Sequence, residues 1–532
     1  MVNKALFQST RGKLVPQADT TNAAGGAAYA LSPKHALTQM ALTGTFGNTF
    51  YTGAGEQLET MLQLADQVEP EYLAKLALYA RKKGYMKDTP AFLVAVLSSK
   101  GPEYFGRVFE TIITDGRMLR NFAQMIRSGV TGRKSFGTRP KKLMQQWLQT
   151  ASVKQLLNAS IGNDPSLNDI IKMVHPKAAE SWREAFFAWA VGKTYNEEAL
   201  PDELKAFKAF VADSTNPVPD VPFQMLTAQP LTKEHWTKIM RNMTWTQLRM
   251  NINTLTRNGV FEDADNVQYV ASRLQDSAEV ARAQVFPYQL LTTYQAVSTL
   301  DVPMAIKLAL QDAMEHATSN IPTISGSVAV CMDVSGSMTS PVTGSRGTKD
   351  TATRCIDVAG LVVSALLRKN EHILPVAFDD NVYDPNSLGL NPRDSVMTNA
   401  QRLASINGGS TNCAAPILVL NQMGLSAKYN TVLMVSDNES WITDRNYDLG
   451  GGYSSGRGTE LARAWEQYRS QNPEAVLICL DVNPHANTQI KEQPGVYNIG
   501  GFSDNVFELI AQIAEGKAST DFLVGEVEKV EL

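Results

Sequence analysis

Residues 328–338 read Val328-Ala-Val-Cys-Met-Asp333-Val-Ser335-Gly-Ser337-Met338. Five apolar residues in a row leave no polar face, which is the pattern of a strand covered on both sides in a parallel sheet. The polar residues begin where such a strand emerges. In open α/β sheets, ligands bind outside the carboxyl ends of the strands. One carboxylate and two hydroxyls on alternate residues make a cluster of hard oxygens, suited to Mg²⁺ or Mn²⁺ and not to a soft metal. Ser335 and Ser337 would serve equally well as helix caps, so the choice depends on whether further ligands exist.

Two more segments supply them. Gly408-Gly409-Ser410-Thr411-Asn412 sets a threonine after a glycine turn, ahead of an apolar helical stretch. Val432-Leu-Met-Val-Ser436-Asp437 repeats the buried-strand pattern and again ends in a carboxylate. The chain around them alternates. Strands are expected at Ser327–Met332, Ile373–Phe378, Thr431–Val435 and Ala475–Leu480. Helices are expected at Lys349–Lys369, Arg393–Ser405, Thr459–Ser470 and Asn505–Ile513. Such alternation means a parallel, doubly wound sheet. The glycine-rich stretch Arg445–Gly458 reads as a mobile loop near the metal face.

The pattern Asp-x-Ser-x-Ser, then Thr, then Asp resembles the metal-ion-dependent adhesion site of von Willebrand factor A domains. The resemblance implies Ser335, Ser337 and Thr411 as direct ligands. Asp333 and Asp437 would act through water, and a sixth position would be left for an acidic protein partner.

Before residue 326 the sequence has another character. Amphipathic helical stretches follow one another from Glu56–Ala65 to Val302–Asn320, split by short Gly/Pro/Asp turns, with almost no strand alternation. Many short helices with short links suggest an α-solenoid of stacked helix pairs. No clean period is visible, so irregular HEAT-like repeats fit better than tetratricopeptide or ankyrin repeats; an irregular helical bundle is the alternative. The expected organisation is a flexible lead-in over 1–30, a helical-repeat domain over 31–325 and a Rossmann-like A domain over 326–532.

The net charge of −4 conceals an asymmetry. Residues 1–150 carry 19 Lys and Arg against 10 Asp and Glu, whereas 326–532 carry 15 against 24. A basic N-terminal part points to a polyanionic partner. Arg133, Lys134, Arg139, Lys141 and Lys142 lie in or just after the glycine-containing loop 129–140, where cations could contact a phosphate backbone without reading sequence. The four cysteines, Cys331, Cys355, Cys413 and Cys479, form no Cys-x-x-Cys pair. They read as free buried thiols of a reducing cytoplasm. No signal-peptide core or bilayer-length apolar run is seen, so no membrane association is expected.

Several helical-part motifs occur in a telling order: Asn22-Ala-Ala-Gly25-Gly26, Thr49-Phe50-Tyr51, Leu76-Ala-Leu-Tyr79-Ala80-Arg81-Lys82-Lys83-Gly84-Tyr85, Asn168-Asp169-Ile-Ile-Lys172-Met-Val-His175-Pro176-Lys177 and Arg282-Ala-Gln-Val-Phe-Pro287-Tyr288. Ahead of an A domain, they resemble the TROVE module of the Ro ribonucleoprotein family, in its bacterial Rsr-type form. The resemblance implies a ring of HEAT-like repeats closed by the A domain. It implies binding of small Y-type RNA on the outer surface and of single-stranded ends of misfolded or immature RNA in the hole. It also implies an exoribonuclease partner and a role in RNA handling under stress. His175 matches a family histidine linked to RNA binding. Eukaryotic members are basic upstream of it, where this chain has Asn158-Ala-Ser-Ile-Gly162-Asn163, so Lys172 and Lys177 become the candidate phosphate contacts. No DNA partner is expected.

Two other classes remain open from the residues alone: a metal-dependent protein-adhesion scaffold, and a metal-assisted hydrolase. No Ser/His/Asp order, paired catalytic carboxylates or Walker lysine favours an enzyme, and a nuclease would want two close metals.

Overall fold

The structure is a computed structural model. It describes residues 15–43, 46, 52–285, 287–298, 300–319, 321–342, 353–424, 428–441, 458–501, 503 and 505–532. Thr49–Tyr51, residues 349–352 of the helix expected from Lys349, and all but the last residue of the glycine-rich stretch Arg445–Gly458 lie outside these.

The architecture is mostly helical up to about residue 320 and α/β thereafter, as the patterning predicts. Within the helical series expected from residue 56 to 320 lie the helices Asp202–Ala212, Ser277–Ala283 and Pro287–Ser298. The series opens with Ala54–Asp66 and closes with Met304–Thr318, each within two residues of the expected bounds. Capping boxes explain several starts. Ser152, Ser166, Thr232 and Thr244 each accept from the backbone three residues on, while the side chain there returns the bond.

Contacts divide the chain into two units. One takes Glu69–Gln284, Ala296–Leu310 and Val530–Leu532, and is wholly helical apart from its turns. Neighbouring helices such as Pro70–Lys82, Asp88–Lys100 and Pro102–Ile112 bury mixed aliphatic and aromatic residues. Phe105, Phe109 and Phe122 meet ring to ring at 5.0–6.0 Å.

The other unit takes the chain up to Val68, Val285–Gln295 and Gln311–Lys529. Its centre is a five-stranded parallel sheet of β3 (Val328–Asp333), β4 (Ile373–Phe378), β5 (Thr431–Ser436), β6 (Val476–Asp481) and β8 (Val496–Gly500), in the order β4-β3-β5-β6-β8. β3 and β5 are buried at every residue. On one face, alternate residues Ala329, Cys331, Val432, Met434, Leu477 and Cys479 pack against the helices Ala415–Met423 and Glu460–Gln471. Trp465 and Tyr468 stack there at 5.3 Å. All four cysteines are buried and free, and burial pushes the Cys331 thiol up to about 12.

Two features depart from the expectation. β8 interrupts its apolar run with Asn498 and ends in a glycine, which hides the strand from a hydrophobicity reading. Asn498 is tolerated because it is satisfied: its Oδ1 accepts from Thr488 Oγ1 at 2.7 Å, and its Nδ2 donates to Ile490 O at 3.1 Å. Residues 20–30, expected as part of a flexible lead-in, form structure instead. β1 (Thr20–Thr21) pairs with β2 (Ala27–Ala30), and β2 pairs antiparallel with β7 (Asn487–Thr488), Tyr29 opposite Thr488. The helices Pro33–Thr43, Val153–Ala159 and Phe522–Glu528 were likewise unexpected.

Trp465 is fully buried against the sheet. Trp465→Ala should cost about 3–5 kcal/mol, visible as a lowered urea midpoint. A change within about 0.5 kcal/mol would mean that this face is not a packed core.

Candidate metal centre and basic surface

The strand order reverses at β3, with β4 on one side and β5 on the other. A crevice opens at such a switch point, at the carboxyl ends of the strands. Here those ends carry Asp333 on β3 and Asp437 just after β5. Asp379 and Asp481 end β4 and β6 in the same way. Four parallel strands therefore deliver four carboxylates to one edge.

Each of the five metal-ligand candidates lies in this region, and each is buried. Asp333 Oδ1 accepts from Ser335 N at 2.8 Å, and its Oδ2 accepts from Ser436 Oγ at 2.6 Å. Ser335 Oγ and Ser337 Oγ are 3.3 Å apart. Neighbouring ligands around a six-coordinate ion with bonds near 2.1 Å lie about 3.0 Å apart, so this pair is already spaced close to what such an ion needs.

Thr411 arrives on a loop tied down from two sides. Gly408 N donates to Val334 O at 3.1 Å, and Gly336 N to Gly409 O at 2.9 Å. A Cβ on Gly408 would stand 2.2 Å from Val334 O, so this approach requires glycine. Asp379 holds the other side: its Oδ2 accepts from Gly409 N at 2.9 Å and from Tyr383 OH at 2.9 Å, and its carbonyl accepts from Asn412 N at 2.9 Å. Burial works against the Asp379 carboxylate, but the bonds from Asn381, Gly409 and Tyr383 outweigh it and hold its pKa below the usual value. Asp379 was missed in the sequence, although it too follows an apolar run.

The carboxylates at this edge repel one another. Burial first, then the charge of Asp437, raises the pKa of Asp333, and burial and Asp481 raise that of Asp437. Burial pushes Asp481 up to about 7 and, with Asp437, Glu439 up to about 8. Asp437 Oδ2 and Glu439 Oε1 are buried without a hydrogen bond. Two hydroxyls, a threonine, paired carboxylates and an orphaned carboxylate oxygen fit a hard divalent cation, which would supply the missing positive charge.

The RNA-binding candidates lie in the helical unit and divide by chemistry. Arg133 donates from Nε at 2.9 Å and Nη2 at 2.5 Å to Ser98 O, and Arg139 donates to Pro102 O. Arg133 thus pins the 129–137 loop, and Arg139 the start of the helix Thr138–Thr150, to the preceding helices. Lys134, Lys142 and Lys177 are exposed, Lys141 is half-buried, and Lys134, Lys142 and Lys177 are in no ion pair with a described residue.

His175 is exposed and takes a left-handed conformation (φ 50°) as the C-cap of Leu167–Val174, its N–H donating to Ile171 O. Gln145 Nε2 donates to Val174 O at 2.5 Å, and Gln149 Nε2 to Lys177 O at 2.8 Å. The helix Thr138–Thr150, with Lys141 and Lys142, is thereby fastened to the segment of His175 and Lys177. Lys172 and Arg127 flank Asp169, whose pKa is held down by hydrogen bonds from Ser166 and then by these cations. Arg127, Arg117 and Arg120 sit on the helix Gly116–Arg127, the first two exposed. Trp182 carries Arg183 over its ring at 4.2 Å, and Arg183 is spent on Leu148 O and Ala151 O.

The comparisons with known proteins point one way. A family model described as the Ro60 vWA domain matches residues 327–514, and one described as the TROVE domain matches 215–350. A protein named RNA-binding protein RO60 from Deinococcus radiodurans is 26% identical over 476 residues, covering 79% of this chain and 83% of that protein. One of the same name from Caenorhabditis elegans is 22% identical over 302 residues, covering 51% of this chain and 45% of that protein. The crystal structure of the Deinococcus radiodurans RO (RSR) protein superposes with a TM-score of 0.61 at 21% identity, covering 92% of this chain and all of that one. That likeness concerns the fold. No described helix is long and apolar enough to cross a membrane.

In metal-free protein the raised carboxylates make stability depend on pH. Unfolded, these aspartates titrate near 3.9. A folded pKa above that value means the folded state holds extra protons between the two, so the contribution of these groups to stability is fully present below about pH 4 and is lost as pH rises through about 7. With chelator present, this contribution should lower the melting temperature from pH 5 to pH 8. A flat or rising profile in that window would contradict the burial of these groups.

Proposed function

Since this chain belongs to the Ro family, joining a TROVE domain to a Ro60-type vWA domain, we propose that it is a non-catalytic RNA-binding protein. It forms a ribonucleoprotein with a small structured Y-type RNA, and it engages single-stranded ends of misfolded or immature RNA for quality control or degradation. The observation that carries this reading is the lysine-bearing surface around the helix Thr138–Thr150 and the segment 172–177, where Lys142, Lys172 and Lys177 are exposed beside His175. Exposed ammonium groups suit phosphate contacts that give affinity without base readout. The relatives named RNA-binding proteins support the same reading.

The Asp333 edge has a separate task. Ser335, Ser337 and Thr411 would ligate Mg²⁺ or Mn²⁺, with Asp333 and Asp437 behind them. When bound, the ion supplies a Lewis-acidic position for a carboxylate of a partner protein. The chain's own residues orient it: Asp379 and Gly408 fix the Thr411 loop, and Ser436 fixes the Asp333 carboxylate.

Fluorescence anisotropy with a structured small RNA across a salt series tests the first part. Each lysine withdrawn from a phosphate should lower the magnitude of the log K against log[salt] slope by about 0.7–0.9. The triple change Lys142→Glu, Lys172→Glu, Lys177→Glu should therefore weaken binding and flatten the slope. Affinity indifferent to salt and to this charge reversal would overturn the RNA reading, and RNA cleaved in the presence of Mg²⁺ would favour a hydrolase.

Calorimetry tests the second part. Asp333→Asn should weaken Mg²⁺ binding and leave RNA affinity within about twofold, since the lysines act through phosphate charge alone. Equal loss of both from either set of changes would sink this division of labour.

A further inference from the structure

Three side chains from distant parts of the sequence converge in the unit that carries the parallel sheet. His35 lies in the helix Pro33–Thr43, Glu492 between β7 and β8, and Asp521 just before the helix Phe522–Glu528. His35 Nδ1 is 3.0 Å from Glu492 Oε2 and 4.0 Å from Asp521 Oδ1, and the three ligand atoms lie within 4.8 Å of one another. None of these residues belongs to the oxygen cluster at Asp333.

The hydrogen bonds fix the imidazole tautomer. His35 Nε2 is 2.9 Å from Asn498 O. A backbone carbonyl can only accept, so Nε2 carries the proton and the neutral ring has its lone pair on Nδ1. The amide of Gln39 agrees. Its nitrogen stands 3.3 Å from Nε2 while its Oε1 has no partner, and turning the amide over places an acceptor against the Nε2 proton.

The Nδ1 lone pair then faces two carboxylates. The Glu492 side chain is only 8% exposed, and burial raises its pKa although His35 and the Asn498 backbone oppose the rise; neither oxygen makes a well-aligned hydrogen bond. Lone pairs at 3.0 Å repel unless positive charge lies between them, and a buried carboxylate without hydrogen bonds is costly. A second ring proton would serve Glu492 Oε2, and against its burial the two carboxylates raise the His35 pKa in that sense, but one proton leaves Glu492 Oε1 unmet. A metal cation between the three groups meets every lone pair at once.

We propose that His35, Glu492 and Asp521 form a second metal site that takes Zn²⁺. Bonds of about 2.0–2.2 Å put tetrahedral ligand atoms about 3.3 Å apart, between the two separations from His35 Nδ1. A metal-bound histidine commonly donates its other N–H to a backbone carbonyl, as His35 does to Asn498. One imidazole with two carboxylates selects a borderline cation, whereas the oxygen-only cluster at Asp333 suits Mg²⁺. Asp521, with its side chain 64% exposed, opens the site to solvent and leaves a fourth position for water. The ion would fasten the first long helix, the segment before β8 and the last helix to one point.

The test uses the full chain, stripped with chelator and dialysed against Zn²⁺ in excess Mg²⁺, with retained zinc measured by mass spectrometry. Wild type should retain a single equivalent. Asp521→Asn, at the exposed ligand, should keep the fold and weaken Zn²⁺ at least about tenfold, and it should alter the visible bands of the Co²⁺-substituted protein. His35→Gln should abolish binding, and Asp333→Asn should leave it. Wild type that retains no zinc, or Asp521→Asn with unchanged zinc affinity and Co²⁺ spectrum, would overturn the proposal, as would zinc lost only in Asp333→Asn.

Discussion

Four acidic side chains brought to one edge of a sheet are the constraint around which the α/β unit is arranged. A doubly wound sheet sends the carboxyl ends of its strands to the same edge, and β3, β4, β5 and β6 each arrive with an aspartate. Left exposed, these groups would be solvated and inert. Burial makes Asp333, Asp437 and Asp481 hold protons, and gives the edge a standing demand for a cation. The surrounding loops answer to the same demand. Gly408 lets one loop lie directly on another, and Asp379 spends its charge on Gly409 N, Asn381 N and Tyr383 OH instead of joining the cluster.

Legibility in the sequence follows from how local each signal is. Asp333, Ser335 and Ser337 are readable because a single short run holds both the strand and its polar end. Thr411 and Asp437 are readable once that run sets the chemistry. Asp379 and Asp481 obey the same rule of an apolar run ending in a carboxylate, and reading that rule at every strand would have found them. β8 is hidden because its polar Asn498 is satisfied by residues 488 and 490, a compensation that exists only in three dimensions. The pairing of β2 with β7 is hidden for a stronger reason. Thr20, Thr21 and Ala27 to Ala30 have no hydrophobic alternation of their own, and a partner far along the chain makes them strands.

The basic helices show why residue type decides what a charge can do. Arg133, Arg139 and Arg183 turn their planar, multi-donor ends inward to backbone carbonyls, and each fastens one element to another. The lysines at 134, 142 and 177 have a single compact charge on a flexible stem and stay in solvent. A count of positive charges along the helical part mixes these two populations. The sequence does not make this division, because it depends on which carbonyls fall within reach.

The hairpin of β1 and β2 has a consequence for how the chain is made. Its sheet is complete only when Asn487 and Thr488 are available. At ordinary rates of synthesis, that strand leaves the ribosome on the order of tens of seconds after the hairpin. Over that interval β2 has one free edge, and a free edge can pair with a strand of another chain. Its small, mostly alanine side chains make it a poor template for such pairing, so the same plainness that hides it from a reader of the sequence also protects it while it waits.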